Sequence, residues 1–88
     1  MSDIFPHKRP TSADTMAEVA KADRRYGHFT STHEGYGVLA EEVAELLDAI
    51  RRNVAADIYH EAVQVAAVAT RIADGIRGSA PMRERSGL

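Results

Sequence analysis

Acidic side chains crowd into one segment of the 88-residue chain. Residues 26–50 contain no lysine or arginine, yet they hold five carboxylates: Glu34, Glu41, Glu42, Glu45 and Asp48. On a helix, like charges three or four residues apart repel one another by about 0.2–0.5 kcal/mol per pair. The segment therefore predicts a positive group outside it that balances this charge.

Four oxygen-bearing side chains occupy related positions on two helical segments. At 100° per residue, Glu42 and Glu45 lie on one flank of the apolar face that contains Leu39. In the next segment Glu61 falls inside the apolar arc, and Gln64 lies on its flank. Antiparallel packing of the two segments would bring the two pairs together.

Oxygen ligands at the edge of an apolar cleft suit hard divalent cations such as Mg²⁺ or Mn²⁺. Such an ion commonly bridges protein carboxylates to substrate phosphates, and it acidifies a water molecule. These are the two contributions that pyrophosphate cleavage requires. Two simpler interpretations stay open: a solvated acidic helix face, and a structural pairing of Glu61 with an arginine.

Three helical periodicities position these residues, and they predict an all-α fold. An extended N-terminal arm over 1–10, which contains Pro6 and Pro10, precedes a helical domain over 11–76, and a flexible tail follows over 77–88. The spacing predicts helices over 12–26, 32–52 and 57–74.

Local signals mark the ends of these helices. Thr11 and Asp14 have the spacing of a helix start, and Ser31 and Glu34 form a second capping box. Asp57 is expected to cap the third helix. Glycine is a natural residue at a helix end, so Gly27 is expected to stop the first helix, and Gly75 and Gly78 bracket the end of the third.

The apolar residues indicate how the helices pack. The second helix is expected to bury one face: Leu39, Val43, Leu46, Leu47 and Ile50. Gly35 lies on the same face, which predicts a close helix crossing there. The short link after residue 52 favours antiparallel neighbours. Because the third helix is rich in alanine and valine and the chain is short, we expect antiparallel helices in a bundle that dimerisation completes.

Composition excludes several classes of protein. The chain has no cysteine, which excludes a disulfide scaffold, a thiolate zinc site and a cysteine nucleophile. A net charge of −2 argues against a nucleic-acid-coating protein. No apolar run reaches the roughly 18 residues of a membrane span, and no secretory signal is visible. We therefore expect a cytoplasmic protein without nucleic-acid or membrane partners.

Two runs, 27–46 and 59–69, resemble MazG-like proteins, which are all-α nucleoside triphosphate pyrophosphatases; the resemblance covers roughly 15–75. That family combines E-E-x-x-E on one helix with E-x-x-D on the next. The corresponding segments here are Glu41-Glu42-Val43-Ala44-Glu45 and Glu61-Ala62-Val63-Gln64. The resemblance implies that Glu42, Glu45 and Glu61 bind Mg²⁺, and that Glu41 is a further ligand or a base acting on water. It also implies a dimer, or a tetramer built from two dimers.

Gln64 stands where the family has aspartate, so the site has one negative charge fewer. Its amide oxygen remains a weaker ligand. Either the site holds fewer ions, or substrate phosphates complete it, or Asp57 contributes. A member that binds nucleotide without catalysis is a further alternative.

The sequence as a whole predicts a Mg²⁺-dependent hydrolase, with Mn²⁺ as a substitute, that cleaves a nucleoside triphosphate into a monophosphate and pyrophosphate. Glu41 and Glu42 are the expected catalytic residues, and Gln64 is the expected fourth ligand beside Glu42, Glu45 and Glu61. The candidate substrate-binding residues are Lys8, Arg9, Arg24, Arg25, Phe29, Ser31 and His33. The rival prediction is a non-catalytic helical module that binds a partner protein or a nucleotide.

Overall fold

A computed structural model describes residues 9–78 of the chain. Three α-helices fill this part: α1 (Thr11–Tyr26), α2 (Thr32–Arg52) and α3 (Ala55–Arg77). No strand occurs between residues 9 and 78, which confirms the all-α prediction. Most of the predicted arm (1–10) and tail (77–88) lies outside the described residues.

The helix ends follow the local signals in part. Ser31 Oγ accepts a hydrogen bond from the Glu34 amide at 3.0 Å, as the capping box predicts. The Glu34 carboxylate reaches back to the Thr30 amide at 2.6 Å, one residue before the cap. Gly27 ends α1 with φ 76°, and Asn53 ends α2 in the left-handed conformation.

One prediction about helix ends is wrong, and two are right in part. Asp57 does not cap α3, which begins two residues earlier; its carboxylate accepts a hydrogen bond from Arg52 at 2.8 Å instead. The first helix begins at Thr11, within one residue of the prediction, but the capping position is held by Pro10, which has no polar side chain, and Asp14 pairs with Arg9 at 2.8 Å. The third helix runs three residues beyond its predicted end at residue 74 and ends at Arg77, between the two glycines that were expected to bracket its end.

The third helix is the centre of the fold: α1 and α2 both pack on it, and within residues 9–78 they do not pack on each other. The side chains that α1 and α3 bring into hydrogen bonds are 45 to 48 positions apart in the sequence, near the start of both helices and near their ends. Because this separation stays nearly constant along the two helices, they run in the same direction. On α2, Gly35 near the start lies against Ile72 near the end of α3. A Cβ added at Gly35 would lie 2.7 Å from Ile72 Cγ1, which confirms the predicted close crossing.

The predicted core face of α2 agrees with the structure only in part. Val43, Leu47 and Ile50 are 45–50% exposed, whereas Gly35 and Ala49 are buried against the rest of the fold. The face toward α3 is therefore rotated by roughly 80° from the predicted centre. The reason is that the apolar arc of α2 is wider than a single neighbour can cover.

Candidate metal centre

Three carboxylates converge where α2 faces α3. Glu42, Glu45 and Glu61 each offer one oxygen, and these oxygens lie within 4.8 Å of one another. Glu42 and Glu45 share a helix face because they are one turn apart, and the packing of α2 on α3 places Glu61 beside them. The structure thus brings together three of the four residues that the sequence pattern selects as ligands.

Glu42 has the least favourable electrostatic environment of the three carboxylates. Its Oε1 atom is buried and has no hydrogen-bond partner. Burial raises the pKa of the Glu42 carboxyl, the charges of Glu45 and Glu61 raise it further, and the nearby His60 opposes them. An unpaired buried oxygen among like charges is a site that a cation would stabilise.

The donor set suits a small hard cation. All three donors are carboxylate oxygens, which Mg²⁺ and Mn²⁺ prefer over softer metals. Oxygens on opposite sides of a Mg²⁺ octahedron lie about 4.2 Å apart, since each Mg–O distance is about 2.1 Å. Adjacent oxygens of such an octahedron lie about 3.0 Å apart, and at most one pair among three ligands can be opposite. The carboxylate oxygens lie within 4.8 Å of one another, so side-chain rotation would have to draw them together around such an ion.

Gln64 lies next to the carboxylates but directs its amide nitrogen elsewhere. Its Nε2 atom donates to Glu18 Oε1 on α1 at 2.9 Å. An aspartate at this position could not make that bond, because a carboxylate has no proton to donate near neutral pH. Glu18 is a residue that sequence reasoning missed, and it ties α1 to the edge of the site.

A cleft of about 260 Å³ opens beside the three carboxylates. From α1, the residues Glu18, Lys21 and Arg25 line it, and His60 lines it from α3. Sequence reasoning selected Arg25 but missed Lys21 and His60. Glu18, Lys21 and Arg25 have the spacing of one helix face, but this spacing does not report that the face meets the cleft.

Of the other basic candidates, Arg9 and Arg24 do not line the cleft. Arg9 pairs with Asp14 at 2.8 Å and lines a separate recess beside Tyr59. Arg24 is exposed, and Lys8 lies outside the described residues.

The candidates of the α1–α2 loop have different environments. Phe29 is buried, with the Arg71 guanidinium 4.2 Å from its ring centre. Ser31 caps α2, and His33 is exposed.

A second cavity of about 380 Å³ adjoins the cleft. Glu41 lines it together with Phe29 and Arg71, and it does not belong to the three-carboxylate group. Glu42 and Gln64 line both spaces, so the two adjoin each other. The cavity by itself falls within the size range of ordinary small-molecule sites, about 300–1,000 Å³.

Comparison with protein families, with curated proteins and with solved structures gives no match to this chain. Among the described residues, no helix combines the length and the apolar character that crossing a membrane requires.

Proposed function

We propose that this protein is a Mg²⁺-dependent nucleoside triphosphate pyrophosphohydrolase. The observation that carries the proposal is the convergence of Glu42, Glu45 and Glu61, with a buried, unpaired Glu42 oxygen among them. Membership of the MazG-like family is part of the proposal and rests on the two acidic motifs.

Glu42, Glu45 and Glu61 would hold the cation. When bound, a divalent ion neutralises phosphate charge and lowers the pKa of a water molecule. The three carboxylates contribute the negative charge that retains it. Gln64 contributes no charge, and its bond to Glu18 fixes α1 at the edge of the site.

Lys21 and Arg25 are the residues that would bind the phosphates of the substrate. Both lie on α1 and line the cleft that holds the carboxylates. Their cations provide the balancing charge that the acidic segment of α2 lacks, and they would orient a polyphosphate chain. Water then attacks the α phosphorus, the bond from this phosphorus to the oxygen that bridges it to the β phosphate breaks and releases pyrophosphate, and Glu42 accepts the proton of the water.

We also propose a homodimer. An exposed apolar stripe with the spacing of a helix-pairing seam runs along α2: Tyr36, Ala40, Val43, Leu47 and Ile50. The amino-terminal half of α2 is acidic, and Arg51 and Arg52 follow at its end. Two copies of α2 that cross in opposite directions would therefore match both apolar surface and charge. The contacts of Gly35 with Ile72, and of Glu42 with Glu61, support the antiparallel α2–α3 pair within each chain.

The test of the dimer is sedimentation of the wild type and of Leu47→Glu. We expect the wild type to sediment as a dimer and the variant as a monomer, because the new charge lies in the apolar seam. A wild type that is monomeric at micromolar concentration would contradict the dimer. Circular dichroism shows whether the variant retains its helices.

The test of the reaction is pyrophosphate release from the common ribo- and deoxyribonucleoside triphosphates in the presence of Mg²⁺. We expect release from at least one substrate, and a loss of at least about 100-fold in Glu61→Gln. Asp48→Asn is the matched control, since it removes one carboxylate from α2 outside both spaces. Equal rates in wild type and Glu61→Gln would refute the site.

The second candidate function is a helical interaction module, which the same exposed stripe of α2 favours. In that case the carboxylates are surface charges and the apolar stripe binds another protein. No pyrophosphate release from any substrate, together with a melting temperature that Mg²⁺ and nucleotide leave unchanged, would support this alternative.

A further inference from the structure

The cavity of about 380 Å³ beside the cleft differs from it in chemistry. The cleft is lined by four carboxylates together with Lys21 and Arg25, whereas the lining of the cavity combines three carboxylates and two basic residues, His28 and Arg71, with aromatic and aliphatic side chains. Glu42 and Gln64 line both spaces. A ligand with its phosphates in the cleft would therefore extend its other end into the cavity.

Flat, partly apolar groups suit the walls of this cavity. Phe29 and Val68 are each 6% exposed and line it. Arg71 stacks its guanidinium 4.2 Å from the centre of the Phe29 ring. This contact already covers one face of each group, and Arg71 is 7% exposed, so a nucleobase would lie against the exposed edges of Phe29 and Val68.

The cavity does not suit a phosphate. Arg71 is its one arginine, and that side chain is already engaged within the fold. Its Nε donates to Asp23 at 2.8 Å, and its Nη2 donates to the Gly27 carbonyl at 2.6 Å. Carboxylates line both spaces; in the cleft Lys21, Arg25 and the proposed cation would offset their charge, whereas in the cavity the one arginine is already engaged.

Glu41 is the cavity carboxylate that is best available to a ligand. Glu34 already accepts hydrogen bonds from the Thr30 amide and hydroxyl at 2.6 and 3.1 Å. Glu41 is exposed and lines the cavity. An ionised carboxylate only accepts hydrogen bonds, so it favours a group that carries N–H donors.

We propose that this cavity receives the nucleobase and that Glu41 selects bases with an exocyclic amino group. Cytosine, adenine and guanine carry such a group, whereas uracil and thymine have a carbonyl oxygen in place of the cytosine amino group. The ring N3–H of uracil and thymine is also a donor, so the selection requires Glu41 to face the exocyclic position of the base. A site that hydrogen-bonds an N–H group rejects the analogue that lacks it. The inference rests on the proposed function, because the phosphates in the cleft set the direction of the ligand.

The test is calorimetric binding of deoxycytidine monophosphate and deoxyuridine monophosphate to the full chain with Mg²⁺. These two nucleotides share their sugar and phosphate and differ at the base edge. We expect the cytidine nucleotide to bind at least about tenfold more tightly. In Glu41→Gln we expect the ratio to fall to about twofold or less, because an amide both donates and accepts.

Asp48→Asn is the control, since it removes the same charge from α2 outside the cavity and is expected to keep the tenfold ratio. Equal binding of both nucleotides to the wild type, an unchanged ratio in Glu41→Gln, or no binding of either nucleotide would overturn the proposal. Because Glu41 is exposed, its substitution is not expected to unfold the chain.

The binding measurement separates this inference from the proposed reaction. Preferential binding of the cytidine nucleotide without pyrophosphate release from any triphosphate would refute the hydrolase and keep the base selection. Pyrophosphate release with equal affinity for both nucleotides would keep the hydrolase and refute the role of Glu41.

Discussion

Replacement of Glu42 by glutamine is the most informative perturbation of this molecule. The carboxylate oxygens of Glu42, Glu45 and Glu61 lie within 4.8 Å of one another. At that separation, two charges repel by about 0.9 kcal/mol at the dielectric constant of water and by about 3.5 kcal/mol at an effective value of 20. Because Glu45 is exposed, solvent screening favours the lower end. Without metal at pH 7, we therefore expect Glu42→Gln to be more stable than the wild type by about 1 kcal/mol.

The pH dependence provides an independent check. The pKa of the Glu42 carboxyl is higher in the folded protein than in the unfolded chain. The contribution of Glu42 to stability is therefore greatest at a pH below the pKa of the unfolded state, and it is lost as the pH rises through the pKa of the folded state. The advantage of Glu42→Gln should vanish below about pH 4 and grow toward neutral pH. For a domain of this size, 1 kcal/mol corresponds to about 4–8 °C in melting temperature.

Mg²⁺ should make the wild type more stable than Glu42→Gln, which reverses the order expected without metal. For a dissociation constant of about 1 mM, 10 mM Mg²⁺ stabilises the wild type by about 1.4 kcal/mol through mass action. Glu42→Gln should lose most of that gain, because glutamine carries no charge. The assay is thermal unfolding followed by circular dichroism, with and without Mg²⁺, between pH 4 and pH 8.

Asp48→Asn is the control for this assay. It removes a carboxylate that is 70% exposed, and Arg52 keeps its second partner, Asp57. We expect its melting temperature and its Mg²⁺ response to stay close to those of the wild type. A Glu42→Gln variant that is less stable than the wild type without metal, or that responds equally to Mg²⁺, would refute the reasoning.

Four further substitutions test the fold and the site. Gly35→Ala places a methyl group against α3 and should lower the free energy of unfolding by about 1–2 kcal/mol in urea titration, whereas Gly37→Ala, with nothing within 4 Å, should raise it by up to about 1 kcal/mol. Equal effects of the two would contradict the close crossing. Gln64→Asp should destabilise the metal-free protein, because it repels Glu18, and should tighten Mg²⁺ binding in calorimetry; weaker binding would argue against a site at this position. Arg71→Met should lower the free energy of unfolding by about 2 kcal/mol, because it removes the charged hydrogen bond to Asp23, which keeps only His28 at 3.4 Å; a loss below about 1 kcal/mol would show that this ion pair is dispensable.

The candidate site shows how far sequence reasoning reaches. Glu42, Glu45 and Glu61 follow from helix periodicity together with two acidic motifs, and the structure places them together. The sequence did not predict that Glu18 and Lys21 of α1 line the cleft, because no residue near them in the sequence reports which face of α1 meets it. That face is set by contacts such as the bond of Gln64 to Glu18, 46 residues away.

By itself, the sequence determined three helices, the Ser31 cap, the Gly27 stop and the close crossing at Gly35. These features depend on interactions within a turn or two, which the order of residues encodes directly. Only the tertiary structure decided which part of the wide apolar arc of α2 faces α3. The rotation of a helix about its axis depends on all of its neighbours at once, and here it buries Ala49 while it leaves Leu47 45% exposed.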